Sequence, residues 1–440
     1  MKKILVLGAG LVAKPLVKYL INEDDFEVTV ATRTVRKAEQ LVENSSNGKA
    51  VQLDVNNTKE LRRLIKKSDI TISLLPYTFH AKVAKICIEF GRHMVTTSYI
   101  SDEMQALDED AKKAEILILN EIGVDPGIDH MSAMRIIDRV ENQGGKVASF
   151  KSYCGGLPAP EANDNPFGYK FSWSPKGVLK AGKNEAKYLK DGQIIEIDGE
   201  ELFQHYWPLE FEDAPAKFET YPNRNSLPYI DTYCLEDVDT MFRGTIRNRG
   251  WCDALNCIVK LGLLDDNKQE DLSKMTYNQL LRTQVNAGKN ESTRDAVDTY
   301  LGESSNKAAL DKLEWLGLFE EKQLPNENTL IDVMTALFLE KMSYQENERD
   351  MIVLFHDFLV EFPDKKQRIT STLIEYGLPN GDSAMARTVS LPAAIATRLI
   401  LRNEIQEKGV HAPVIPEIYN PVLNELEKMG IVCKEKEQDF

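Results

Sequence analysis

Two closely spaced glycines after a short apolar run are the first residues in this chain whose types and spacing could do chemistry. The run is Ile4-Leu5-Val6-Leu7-Gly8-Ala9-Gly10-Leu11-Val12-Ala13. Gly8 permits a tight turn, Gly10 lets the backbone approach a pyrophosphate, and the small Ala13 lets a helix pack closely on a strand. A helix starting near Leu11 would turn unpaired N–H groups and a positive dipole end toward the phosphates. Such turns also close strands that bind nothing, so the neighbouring residues decide. At the end of the next strand, an Asp or Glu would accept hydrogen bonds from a ribose 2′-hydroxyl. Here stand Thr32-Arg33-Thr34, with Arg36 and Lys37 close behind. A guanidinium beside hydroxyls suits a 2′-phosphate, which favours NADP over NAD, the alternative for Arg33 being a solvated surface residue.

Further along, Asp54-Val55 follows a third strand, where such folds flank the adenine, although Asp54 could equally cap the helix from Asn57 onward. Leu75, Ser98, Tyr99 and Asp125 all lie at or just beyond strand ends. Tyr99 could donate to or orient a substrate, and Asp125 could pair with an ammonium or move a proton. Equally, Asp125 before Pro126-Gly127 is a common turn residue, and a Tyr after a strand often only packs. Cys154 before a Gly-Gly loop is a candidate nucleophile or acid, against the commoner role of a small buried hydrophobe. Asp129-His130 suggest a metal, but no second His lies at ligand spacing, so capping or packing is expected and no metal. Arg224, Arg243 and Arg247 are candidate clamps for a substrate with several carboxylates, surface ion pairs being the alternative for each.

The elements that must position these residues follow from periodicity. Apolar strands at 4–7, 27–31, 50–53, 70–75, 93–95 and 116–120 alternate with helical stretches, the pattern of a doubly wound parallel sheet. Ligands of such sheets sit beyond the carboxyl ends of the strands, which puts Leu75, Ser98, Tyr99 and Asp125 on one rim. Beyond His130 the texture becomes α+β, with strands expected at 149–154, 193–197 and 229–232 and a loop at 155–160. From Trp251 to about Ser343 the apolar residues fall at helical spacing. Strand texture returns at 350–356 and 368–375, before closing helices at 383–402 and 420–429.

Composition bounds the rest. At 440 residues, two or three domains are expected. The net charge of -15 argues against a general nucleic-acid or anionic-membrane surface. The stretch after Met1 is too short for a signal-peptide core, and the longest uninterrupted apolar runs are too short to span a bilayer. Six cysteines without a CxxC pair resemble neither a disulfide framework nor a zinc site. A soluble protein of the reducing cytoplasm is expected.

Several strings together resemble the glutamate-forming saccharopine dehydrogenases, also called saccharopine reductases, over nearly the full length. They are Gly8-Ala9-Gly10, Ile72-Ser73-Leu74-Leu75-Pro76-Tyr77, Val95-Thr96-Thr97-Ser98-Tyr99 and Asp125-Pro126-Gly127-Ile128-Asp129-His130. To these are added Ser152-Tyr153-Cys154-Gly155-Gly156-Leu157-Pro158-Ala159-Pro160, Tyr169-Lys170-Phe171-Ser172-Trp173-Ser174, Tyr221-Pro222-Asn223-Arg224 and Arg243-Gly244-Thr245.

The resemblance implies a homodimeric, NADP-dependent oxidoreductase of lysine metabolism. L-Glutamate and α-aminoadipate semialdehyde condense to an imine that is reduced to saccharopine, and the reaction is reversible. It implies cofactor contacts at Gly8, Ala9, Gly10, Leu11, Val12, Thr32, Arg33, Thr34, Asp54, Val55, Leu75, Thr97, Ser98, Val124, Asp125, Pro126 and Trp173. Substrate contacts would be Ser98, Tyr99, Asp125, Arg224, Thr245, Ile246 and Arg247, with Asp125, Tyr99 and Cys154 handling protons. The expected architecture is a Rossmann domain (1–130 plus about 390–440), an inserted α+β substrate and dimerisation domain (about 131–250 plus 346–389) and a helical domain (about 251–345). One rival is a relative acting on another amine and aldehyde, such as a carboxynorspermidine dehydrogenase. Another is a binding protein that keeps the nucleotide fold without catalysis.

Overall fold

The computed structural model describes residues 1–43 and 45–440. They form two compact units, Met1–Lys146 with Val360–Phe440, and Val147–Leu359.

In the first unit the run at the N-terminus is the strand Lys2–Leu7, whose last four residues are buried. A strand that is apolar on both faces needs cover on both, as in a parallel sheet flanked by helices. It lies inside a seven-stranded sheet of order Gly409–His411, Leu117–Leu119, His93–Thr96, Ile70–Ser73, Lys2–Leu7, Phe26–Thr32, Gly48–Gln52. Every neighbouring pair is parallel. Strand order reverses between Lys2–Leu7 and Ile70–Ser73, so the chain leaves these two strands toward opposite sides and opens a crevice at their carboxyl ends. Part of the cover is a cluster containing Leu5, Leu7, Leu61, Ile65, Val83 and Cys87. The helix Ala13–Ile21 packs against the long helix Ala384–Leu401.

Several expectations are corrected in this unit. The first helix begins at Ala13, after Val12, rather than at Leu11. Asp54 does not cap the following helix: its carboxylate accepts from Asn56 N–H at 2.9 Å, while Asn57 accepts from Glu60 N–H and caps Thr58–Lys67. Ala384–Leu401 is long and apolar enough to cross a membrane, but 83% of that window is buried in the protein, so it is a core helix. A search for uninterrupted apolar runs overlooks it because Arg387, Thr388 and Arg398 interrupt the sequence. The strands Gly409–His411 and Lys434–Asp439 were also not expected. The first is very short and the second is wholly polar, and Lys434–Asp439 is held by its antiparallel pairing with Lys366–Tyr376.

In the second unit the strand Thr240–Asn248 is central. It pairs antiparallel with Phe218–Pro222, which pairs in turn with Trp207–Leu209, and parallel with Lys146–Pro158 on its other side. The hairpin Ala186–Lys190 and Gln193–Ile197 joins at Met241, and Asp350–Glu361 follows Lys146–Pro158 in the sheet order. The helical stretch resolves into Trp251–Lys260, Tyr277–Gln284, Thr293–Leu301, Lys307–Leu316 and Leu330–Lys341.

Two local readings are overturned here. Residues 229–232 belong to a short helix, Pro228–Thr232, because Pro228 suits the first turn and Asn225 Oδ1 accepts from Leu227 N–H at 3.0 Å to start it. Gly155 to Pro158 continue the strand rather than forming a loop. A Cβ on Gly155 would lie 2.6 Å from the Ile246 carbonyl oxygen, so this glycine serves close approach of two strands.

Candidate active site

The nucleotide side is built where the strand order reverses. Gly8, at φ +106°, donates its N–H to Ala31 O at 2.9 Å, and a Cβ there would lie 2.9 Å from Leu74 O. Only glycine accepts both the backbone conformation and the contact. Gly10 differs: it is exposed, and a Cβ would meet nothing within 4 Å. Its smallness therefore serves no neighbour within the chain and fits a ligand's approach. No side chain caps the helix Ala13–Ile21, but Ala13 N–H bonds Gly10 O at 3.2 Å and Pro15 has no N–H, so a pyrophosphate here would be met by the backbone of the turn rather than by a row of free helix N–H groups. Leu11 is 71% exposed beside this turn.

At the end of Phe26–Thr32, Arg33 is exposed, as are Thr34, Arg36 and Lys37. Among the described residues these three cations carry no ion pair, and the helix Val35–Val42 starts at Thr34 without a side-chain cap. Three unpaired cations beside a bare helix N-terminus suit a 2′-phosphate. Asp54 is exposed and Val55 half-buried, Val55 O accepting from Lys82 Nζ at 2.8 Å.

On the same rim, Tyr99 donates from its hydroxyl to Asp125 Oδ1 at 3.2 Å, both residues being half-buried. The sequence reading treated them singly; the fold brings them together. Leu75, Thr97 and Ser98 are half-buried, and Val124 and Pro126 buried. Gly123 keeps the two rim segments close, since a Cβ there would meet Thr97 Cβ at 3.3 Å and Pro126 O at 3.0 Å. Asp129 is buried and accepts from Gly127 N–H at 2.5 Å and from His130 N–H at 2.8 Å, fixing the turn that carries Asp125. His130, fully buried, bonds through Nε2 to Glu121 Oε2 at 2.7 Å.

One contributor escaped the sequence reading. His80 lies between Ser73 Oγ (3.0 Å from Nδ1) and Ser98 Oγ (2.9 Å from Nε2), and thereby holds the Ser98 hydroxyl. Burial pushes this imidazole down to about 4, so it is neutral at physiological pH. The available signal was a histidine opening the helix His80–Phe90 that follows the strand Ile70–Ser73.

The second unit holds the other candidates. Thr245 lies opposite Cys154 on one side and Tyr221 on the other. Strand alternation puts Arg243, Thr245 and Arg247 on that same face and turns Ile246, which is 0% exposed, to the opposite one. Cys154 is buried and Trp173 is 38% exposed. Arg224 is exposed and takes a left-handed φ of +56°, uncommon for a residue with a Cβ. Arg243 is buried, its guanidinium 4.3 Å from the Tyr229 ring centre.

Arg247 is the most unusual of these arginines. Only 6% exposed, it has rings of Tyr169, Trp251 and Tyr221 at 4.9, 5.4 and 5.9 Å. Its guanidinium donates to Ile246 O at 2.8 Å, yet among the described residues it has no carboxylate partner and its Nε no hydrogen bond. A buried charge is normally paired. One held by aromatic faces with a donor to spare is suited to a ligand carboxylate. Of the three aromatic residues, Tyr169 and Tyr221 stood out only within the strings that carry the resemblance, and Trp251 carried no signal.

Comparison with known proteins agrees with this geometry. Residues 4–119 match the saccharopine dehydrogenase NADP binding domain and residues 123–431 the saccharopine dehydrogenase C-terminal domain. The chain is 41% identical to a Schizosaccharomyces pombe saccharopine dehydrogenase [NADP(+), L-glutamate-forming] and 42% to its Saccharomyces cerevisiae counterpart, covering 99% of both chains in each case. The solved apo saccharopine dehydrogenase (L-Glu forming) from Saccharomyces cerevisiae superposes with a TM-score of 0.91 at 41% identity, over 100% of both chains. A crevice at the strand-order reversal, exposed cations at the end of the neighbouring strand and full-length similarity together place this chain in the saccharopine dehydrogenase family.

Proposed function

We propose that the chain is an NADP-dependent oxidoreductase of lysine metabolism that interconverts saccharopine with L-glutamate and α-aminoadipate semialdehyde. NADPH, when bound, supplies the hydride that reduces the imine carbon. Saccharopine carries three carboxylates and two amines, so a protein that binds it needs arginines and an acid. The single observation that carries the reading is the Tyr99–Asp125 hydrogen bond on the rim of a nucleotide-binding sheet. It offers a carboxylate for a cationic imine nitrogen beside a phenol that can pass or hold a proton.

In this reading Asp125 keeps the imine nitrogen protonated, Tyr99 and Cys154 adjust its protons, and the side chains of Ser98, Arg224, Thr245 and Arg247 bind carboxylates. The buried, carboxylate-free Arg247 supports the last role. A polyamine substrate, as in a carboxynorspermidine dehydrogenase, would bring positive charge to these arginines and is disfavoured. The reading further places the enzyme as a homodimer in the cytoplasm. Six cysteines with no disulfide among the described residues support a reducing compartment.

Absorbance at the reduced-nicotinamide band after mixing the protein with saccharopine and NADP or NAD tests the function. Rapid turnover with NADP and little with NAD is expected; none with either would overturn it. Asp125→Ala should lower kcat about a hundredfold, the usual scale for a positioned acid or base. Kinetics unchanged across pH would remove Asp125 from the proton chemistry.

A further inference from the structure

Tyr99 sits between two residues that are both held by one buried residue, Ser98 through that residue's backbone N–H and Ile100 through its side chain. Glu121, only 6% exposed, donates its own N–H to Ser98 O at 3.0 Å and accepts from Ile100 N–H through Oε1 at 2.8 Å. Its second carboxylate oxygen meets His130 Nε2 at 2.7 Å, from the first turn of the helix Ile128–Asn142. Glu121 also takes a left-handed φ of +57°. A strained backbone at a charged, buried residue persists only where the surroundings over-determine it.

Four residues after Glu121 the chain reaches Asp125, the acceptor of the Tyr99 hydroxyl. Glu121 therefore grips the Tyr99 turn from the segment that carries Asp125, and His130 fixes the direction of that grip. We propose that Glu121 is the positioning residue for Tyr99, setting the phenol at hydrogen-bonding distance from Asp125, with His130 as its anchor. Glu121 touches neither the reacting atoms nor the cofactor in this assignment; it acts through the turn. The proposal rests on the reading of Tyr99 and Asp125 as site residues.

The test uses the full-length protein. Glu121→Ala should lower kcat for saccharopine oxidation at least about tenfold, since misplacing a reacting group by a fraction of an ångström has that scale of effect. KM for NADP should stay within about twofold, because the glycine turn and Arg33 are untouched. Glu121→Gln keeps an oxygen for Ile100 N–H and should recover most of the lost rate. Adding Glu121→Ala to Tyr99→Phe should cost little more than the phenylalanine alone, since the phenol is already gone. Additive losses, or a wild-type rate in Glu121→Ala, overturn the proposal.

The NMR signal of 13C-labelled Tyr99, assigned by its absence in Tyr99→Phe, separates this proposal from the reading beneath it. If Tyr99→Phe turns over normally, the catalytic reading of Tyr99 fails while positioning is still decided. A Tyr99 ring resonance that moves in Glu121→Ala and returns in Glu121→Gln supports positioning, and one that stays put refutes it.

Discussion

Burial of His80 links proton binding to folding. Its imidazole titrates at about 4 in the folded chain against an ordinary 6.5. Between those values the unfolded chain holds a proton that the folded chain excludes, so stability rises with pH through the window. The contribution is complete above pH 6.5 and disappears as pH falls toward 4. His80→Gln should therefore narrow the stability gap between pH 7 and pH 5 by about 2 kcal/mol, read from urea unfolding at both values. His93, also held at about 4 by burial and the nearby Lys408 and Lys2, should keep its own share. An unaltered gap would mean that the bonds to Ser73 and Ser98 survive protonation. Legibility at this scale was uneven. Tyr99 and Asp125 were visible as types at strand ends, whereas the Glu121–His130 pair and the bond between Tyr99 and Asp125 join residues too far apart in sequence for spacing to show.

The strand-turn-helix that opens the chain separates two uses of glycine. Gly8 faces a neighbouring backbone, while Gly10 faces open space. Gly8→Ala should destabilise the fold by at least about 1 kcal/mol, through positive φ and the contact with Leu74. Gly10→Val should leave Tm nearly unchanged while raising KM for NADP tenfold or so by occupying the space of the phosphates. A Tm loss in Gly10→Val equal to that in Gly8→Ala would refute the distinction. At the neighbouring strand end, Arg33→Ala should raise KM for NADP about tenfold and leave NAD kinetics nearly alone, since it removes a charge-assisted bond that only the 2′-phosphate can use. Equal effects on both cofactors would return Arg33 to the solvated surface. Element types were largely readable where periodicity was strong. They failed at Pro228–Thr232, where a proline and an Asn turn outweighed strand-like residues, and at Gly155, where tertiary approach turned an apparent loop into strand.

For the whole molecule, each of the two units carries candidate residues of its own: the nucleotide crevice with Tyr99 and Asp125 in one, the arginine and aromatic face in the other. A dimeric enzyme should sediment at twice the 49.8 kDa chain mass, and a monomer-sized boundary at micromolar concentration would overturn the proposed assembly.

By itself the sequence determined what local physics encodes. Apolar runs alternating with helical spacing specified a parallel sheet, the Gly8-Ala9-Gly10 string marked the turn after its first strand, and Thr32-Arg33-Thr34 favoured NADP over NAD. These signals lie within a few residues of one another, where chain geometry alone fixes their relation. Tertiary structure decided the rest: the seventh strand at Gly409–His411, the aromatic enclosure of Arg247, and the hold of Glu121 on the Tyr99 turn. Each depends on residues distant in sequence meeting in a crowded interior. There burial, hydrogen-bond satisfaction and strand pairing select partners that no local pattern records.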